Sequence, residues 1–179
     1  MVIVWVNGTF GVGKTKTAGK VVAMSDQLRL FDPEEVGFLL RNNLPKQDLT
    51  DFQHLAPWRT LVPVIADEIS RFTGQTLIAV QTVLNENYWN ELVAGFSALG
   101  HEVFHVLLDA NSETLRSRIE GDAGGTDNRD WRNNHVDAFI TARAWLLPSA
   151  DLTIDTTTAD PDAAARALFS HIKGTLISA

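Results

Sequence analysis

Residues 8–15 read Gly8, Thr9, Phe10, Gly11, Val12, Gly13, Lys14, Thr15, which is the pattern G-x-x-x-x-G-K-[ST] in full. No other feature narrows the possible folds so far. The motif works only at a sharp turn between a strand and a helix. The glycines permit backbone angles that a side chain would obstruct. Successive amide N–H groups then turn inward as an anion nest, and the following helix adds the positive end of its dipole. In this geometry Lys14 reaches the β- and γ-phosphates of ATP or a close relative, and the Thr15 hydroxyl ligates Mg²⁺. All eight residues are therefore expected to bind nucleotide, with Thr15 on the metal side.

The flanking sequence supplies the required context. Residues 2–6 are a continuous apolar run, as in a strand buried on both faces. A helical pattern follows from about Lys14 to Met24. Further strands are expected at 28–31, 76–84, 102–108 and 151–155. Helices are expected over about 33–42, 58–72, 86–99, from 111 or 112, over 134–147 with a stop at Pro148, and from Pro161 onward. Asp32, Pro33 and Glu35 have the spacing of an N-cap, a first-turn proline and a capping-box acid. Strands alternating with helices imply an α/β fold, a parallel sheet with helices on both faces. One domain over 1–179 is expected, with 43–57 as an acceptor-side insertion and the Gly/Asp/Asn-rich stretch within 119–133 as a lid.

Composition closes several alternatives. Acidic residues outnumber basic ones by 22 to 15, a net charge of -7, which argues against a general nucleic-acid binder. There is no cysteine, so disulfides, thiolate metal sites and cysteine nucleophiles are excluded. The five histidines show no metal-ligand spacing and read as structural or surface residues. No stretch approaches the roughly 20 apolar residues of a membrane span, and the N-terminal run lacks a basic leader. The expectation is a soluble cytoplasmic protein with a small-molecule substrate.

A phosphate cradle does not choose among kinases, switches and motors. Asp32 lies at the carboxyl end of the second strand, where ligands of open parallel sheets bind. There it can orient an acceptor hydroxyl or take its proton, besides capping a helix. Glu34 reads as a first-turn charge. Arg116, Arg118, Arg129 and Arg132 flank the glycine-rich stretch, and phosphoryl transfer needs positive charge in a closed site. Arg118 and Arg132 are the leading candidates, and Trp131 can help close the lid. The third strand runs into Gln81 and Thr82 rather than an acidic Mg²⁺ ligand, leaving Thr15, phosphate oxygens and waters, with Asp32 or Asp109 nearby.

Several segments together resemble the TmrB-type tunicamycin-resistance ATP-binding proteins. They are residues 7–15, the Asp-Pro-Glu-Glu-Val-Gly-Phe-Leu-Leu-Arg run at 32–41, Asp51, Phe52 and Gln53, and Trp58 with Arg59. Thr82 is similar to a position of that family. The resemblance covers residues 1–110 best. It implies a three-layer P-loop kinase-like fold with a five-stranded parallel sheet of order 2-3-1-4-5. It also implies ATP binding and protection against tunicamycin, a uridine-containing antibiotic. Asp32, Arg41, Arg59 and Thr82 become acceptor-side candidates, and Arg118 an adenine-packing arginine. Some family members carry a membrane-associated C-terminal tail, and no such tail is expected here. The expected activity is ATP-dependent phosphate transfer to a hydroxyl of tunicamycin or a similar nucleoside-like molecule. ATP-dependent sequestration without transfer, and a metabolic kinase of another substrate, remain open.

Overall fold

The computed structural model describes residues 1–45, 51–122 and 129–175. Parts of the expected insertion and lid, 46–50 and 123–128, lie outside the described residues. Strands β1 (Val2–Asn7), β2 (Leu28–Phe31), β3 (Thr76–Val80), β4 (Glu102–Asp109) and β5 (Leu152–Asp155) form one sheet of order β2-β3-β1-β4-β5. Every pairing is parallel, with Val4 opposite Ile78 on one side and Phe104 on the other. The expected strand order and parallel sheet are both met.

The period-2 alternation of β1 feeds two cores. Ile3 and Trp5 point into one, with Val36 of α2 (Pro33–Asn43), Trp58 and Val62 of α3 (Ala56–Thr73), and Leu92 and Phe96 of α4 (Glu86–Ala98). Val4 and Val6 point into the other. There they meet Val21 of α1 (Lys14–Val22), Leu115 of α5 (Ser112–Glu120), Phe139 of α6 (Arg129–Ser149) and Leu168 of α7 (Pro161–Thr175). Helices thus cover both faces, so the ligand-accessible edge is the carboxyl ends of the strands.

Local chemistry sets the helix starts. Asp32 caps α2 by accepting from the Glu34 amide at 2.9 Å, with Pro33 in the first turn. Asn85 and Asn111 cap α4 and α5 in the same way. Pro57 sits in the first turn of α3 instead of breaking it, so that helix begins at Ala56 rather than 58. A 3₁₀ turn (Phe52–His54) interrupts the stretch expected to be irregular, with the Asp51 carboxylate accepting from the Gln53 amide.

Further boundaries differ from expectation in the third strand and the sixth helix. The third strand ends at Val80, not 84. Beyond it, side chains replace the ladder. Trp5 Nε1 donates to Gln81 O, Asn7 brackets Val83, and Trp145 Nε1 donates to Leu84 O. An apolar run can satisfy its backbone this way without pairing. The helix expected over 134–147 begins at Arg129 and runs through Pro148 to Ser149. Its polar first turn carried no apolar period to announce it, and Pro148 falls in the last turn, one residue before the helix ends.

Candidate active site

The cradle forms where β1 runs out under α1. Asn7 is fully buried and its side chain fixes the first turn. Its Oδ1 accepts from Gly8 N at 2.8 Å and Val83 N at 2.9 Å, while Nδ2 donates to Val83 O at 3.0 Å and meets His105 Nε2 at 3.3 Å. Burial pushes the His105 imidazole down to about 4, against the opposing pull of the Ser149 carbonyl and Asp151. The neutral ring can accept from Asn7 at Nε2 while its Nδ1–H faces Ser149 O at 3.2 Å. Gly8 has φ 136°, and a Cβ there would stand 2.5 Å from Leu108 O. Only glycine fits that approach.

Lys14 Nζ donates to Thr9 O at 3.0 Å and lies 5.6 Å from the centre of the Phe10 ring. Withdrawal of its ammonium from solvent lowers the Lys14 pKa to about 7, opposed by Glu34 and reinforced by Arg132. Such a cation is poised to gain from an incoming anion. Arg118 reaches back to the cradle, donating to Gly11 O at 3.3 Å and to Thr156 O at 2.6 Å. Thr156, which carried no sequence signal, ties Val12 O to the end of β4, its hydroxyl 3.2 Å from Val12 O and 3.1 Å from Asp109 O.

Around the cradle opens a cleft of about 1210 Å³. That exceeds the roughly 300–1,000 Å³ usual for one small ligand, leaving room for a nucleotide and a second molecule. Residues 9–15 line it with Asp32, Arg41, Thr82, Arg118 and Arg132, so the structure brings most of the expected set together. Arg132 pairs with Asp122 at 2.9 Å and lies 5.6 Å from the Phe10 ring centre. Arg41 lies over Phe38 and Phe52, at 4.9 and 5.7 Å.

Others go elsewhere. Arg59 does not line this cleft: it pairs with Glu91 at 2.6 Å, donates to Gln53 O and covers the Tyr88 ring at 4.2 Å. Asp109 is taken by Arg143 and lies outside the cleft lining. Arg116 pairs with Asp137 on the surface, and Arg129 sits 3.8 Å from Glu120. Among the described residues, no group of three or more His, Asp or Glu could hold a metal ion. The Thr15 hydroxyl at the cleft fits the metal-side part of a phosphate-bound Mg²⁺, which needs few protein ligands.

Besides Thr156, three cleft residues were missed as site residues or undervalued. Glu34 faces Lys14, and partial desolvation raises its carboxyl above the ordinary value, with Asp32 adding and Lys14 opposing. Its i+2 spacing from Asp32 was the available signal. Asp51 and His135 also line the cleft. His135 packs at 4.1 Å from Trp131, four residues earlier on α6, and at 5.3 Å from Phe10, a contact that only the tertiary fold makes.

The part of the cleft wall formed by Phe38 and Phe52 depends on a close approach. A Cβ on Gly37 would fall 2.3 Å from the Phe52 ring, which meets Phe38 edge-on at 5.2 Å. Gly37→Ala is expected to destabilise the fold by about 1–3 kcal/mol through overpacking, measured as a lower denaturation midpoint. An unchanged midpoint would show that Phe52 yields freely.

The family model described as an AAA domain matches residues 3–146. No curated protein matches the chain's sequence. Among solved structures, the tunicamycin resistance protein of Deinococcus radiodurans superposes with TM-score 0.77 at 22% identity, over 96% of this chain and 95% of that one. A sugar kinase from Janibacter sp. HTCC2649 gives TM-score 0.65 at 18% identity, over 100% and 98%. A gluconokinase from Sinorhizobium meliloti 1021 gives 0.66 at 13%, over 98% and 94%. At these identities the likeness establishes a P-loop kinase-like fold.

Proposed function

The chain belongs to the AAA domain family, and we propose that it is an ATP-dependent phosphotransferase acting on a hydroxyl of tunicamycin or a similar nucleoside-like small molecule. One observation carries this: the phosphate cradle with Lys14 and the carboxylate of Asp32 line the same cleft, which has room for two ligands. The likeness to a tunicamycin resistance protein and to two sugar-acid or sugar kinases supports the small-molecule acceptor.

Bound Mg-ATP supplies the phosphoryl group and a Lewis acid on its oxygens. Residues 9–15 would hold the phosphates, with Thr15 on the metal side, whereas Gly8, expected to bind nucleotide as well, commits its amide to Asn7 Oδ1 and shapes the turn. Lys14, Arg118 and Arg132 place positive charge around the transferring group. Asp32 orients the acceptor hydroxyl and takes its proton. Thr82, with its hydroxyl on Gly8 O at 2.7 Å, fixes the cradle against the end of β3, and Arg41 flanks the acceptor from its aromatic stack.

Incubation with Mg-ATP and tunicamycin should yield the antibiotic carrying one added phosphate, read by mass spectrometry. Tight binding of both ligands without that adduct would sink the transfer step. It would leave ATP-dependent sequestration, which Gln81 and Thr82 favour by standing where an acidic metal ligand is common. Sequestration predicts protection proportional to the amount of protein. Turnover of other sugars or nucleosides, with none of tunicamycin, would point to a metabolic kinase.

A further inference from the structure

Asp51 sits where two cavities meet. It lines the main cleft and also a smaller cavity of about 150 Å³ past the end of β3, bounded by His54, Asn85 and Tyr88. Both carboxylate oxygens are held by a single residue. Gln53 donates its amide N–H to Oδ1 at 2.9 Å and its Nε2–H to Oδ2 at 3.0 Å. The buried Gln53 also donates from Nε2 to Thr82 O at 2.7 Å, and the Thr82 hydroxyl donates to Gly8 O at 2.7 Å. Arg59 closes the set by donating to Gln53 O. An unbroken chain of contacts therefore runs from the first glycine of the phosphate cradle to the Asp51 carboxylate.

That arrangement differs from its neighbours in the cleft. Asp32 is exposed and spends Oδ1 on the Glu34 amide, whereas Asp51 is fixed through both oxygens before any ligand arrives. Each oxygen keeps a further lone-pair direction for a donor in the cleft. A preorganised carboxylate loses little conformational freedom on binding. With Asp32 and Glu34 on the same cleft, it repels anions and favours groups that donate hydrogen bonds without negative charge. The small cavity behind it offers the rings of His54 and Tyr88 and the Asn85 side chain, a lining suited to a polar ring.

We propose that Asp51 and this small cavity form an acceptor subsite for an uncharged, hydroxyl-bearing ring, with Gln53 as the positioning residue that registers the carboxylate against the phosphate cradle. The subsite rests on the small-molecule acceptor reading of the cleft and adds to it the chemical class of the acceptor.

The test is calorimetric binding of tunicamycin, uridine and methyl glucoside at a saturating non-hydrolysable ATP analogue, with transfer from ATP followed separately. Asp51→Asn keeps an oxygen for the Gln53 amide but removes the charge. It should weaken the tightest-bound probe about 10- to 100-fold, as expected for losing a hydrogen bond to a charged group, while affinity for the analogue shifts less than about twofold. Gln53→Met, similar in volume, should give the same loss, and the double variant should be no weaker than either single one, because the two residues act as a unit. Equal affinities across the four proteins would overturn the subsite. So would additive losses, or a Gln53→Met protein that melts lower yet binds the probe normally. Heat from none of the three probes would also overturn it, since a hydroxylated ring is the ligand it specifies. Binding with the expected losses but no transferred phosphate keeps the subsite and defeats the transferase proposal instead.

Discussion

Lys14→Met is expected to lower phosphate turnover by about 10³-fold, the scale of removing one preorganised charge stabiliser. The side chain keeps its length and much of its apolar stem, so the fold should melt normally. Nucleotide affinity should fall as well, because Lys14 is the cation that closes over Thr9 O inside the cradle. Its pKa near 7 adds a pH signature. Phosphate binds the protonated amine, and binding raises that pKa. Above about pH 7, nucleotide binding must therefore take up a proton, and affinity must fall as pH rises toward the pKa of the complex. Below pH 7 the amine is already charged and this dependence disappears. Calorimetry in buffers of different ionisation enthalpy reads the uptake directly. Lys14→Met should abolish it, and uptake persisting in that variant would place the titrating group elsewhere.

Asp32→Asn carries the second large effect, an expected loss of about 10²–10³-fold in kcat for transfer, the range of general-base catalysis. The change is clean because asparagine is as good a cap as aspartate, so the hydrogen bond to the Glu34 amide and the start of α2 survive. Nucleotide affinity and melting temperature should stay near those of the parent. Full-rate turnover in this variant would make Asp32 a cap alone and shift attention to Glu34, the neighbouring carboxyl that desolvation raises and that faces Lys14.

The cradle and the parallel sheet were legible in the sequence for related reasons, whereas the strand order 2-3-1-4-5 was only what the family resemblance implied. A strand, a glycine-rich turn and a helix in immediate succession leave one local geometry, and alternating strands and helices leave a parallel sheet. Asp32 was legible because a capping position and a strand end coincide there. The cleft wall around Asp51 was not. Asp51 and Gln53 belong to a stretch without period, and their meaning depends on Thr82, a partner 29 residues from Gln53 along the chain. Arg59, although close in sequence to that stretch, turned to Glu91 and the Tyr88 ring, a choice no local pattern encodes. Asp109 was drawn away by Arg143 on a helix that only folding brings near.

The sequence by itself determined where phosphates can sit, because residues 8–15 fix their own backbone angles through glycine and through the start of α1. Tertiary structure alone decided what faces those phosphates. Glu34 had a local signal in its place two residues after Asp32, but Asp51, His135 and Thr156 come from three separate segments of the chain, and their convergence depends on packing and hydrogen bonds across long sequence separations.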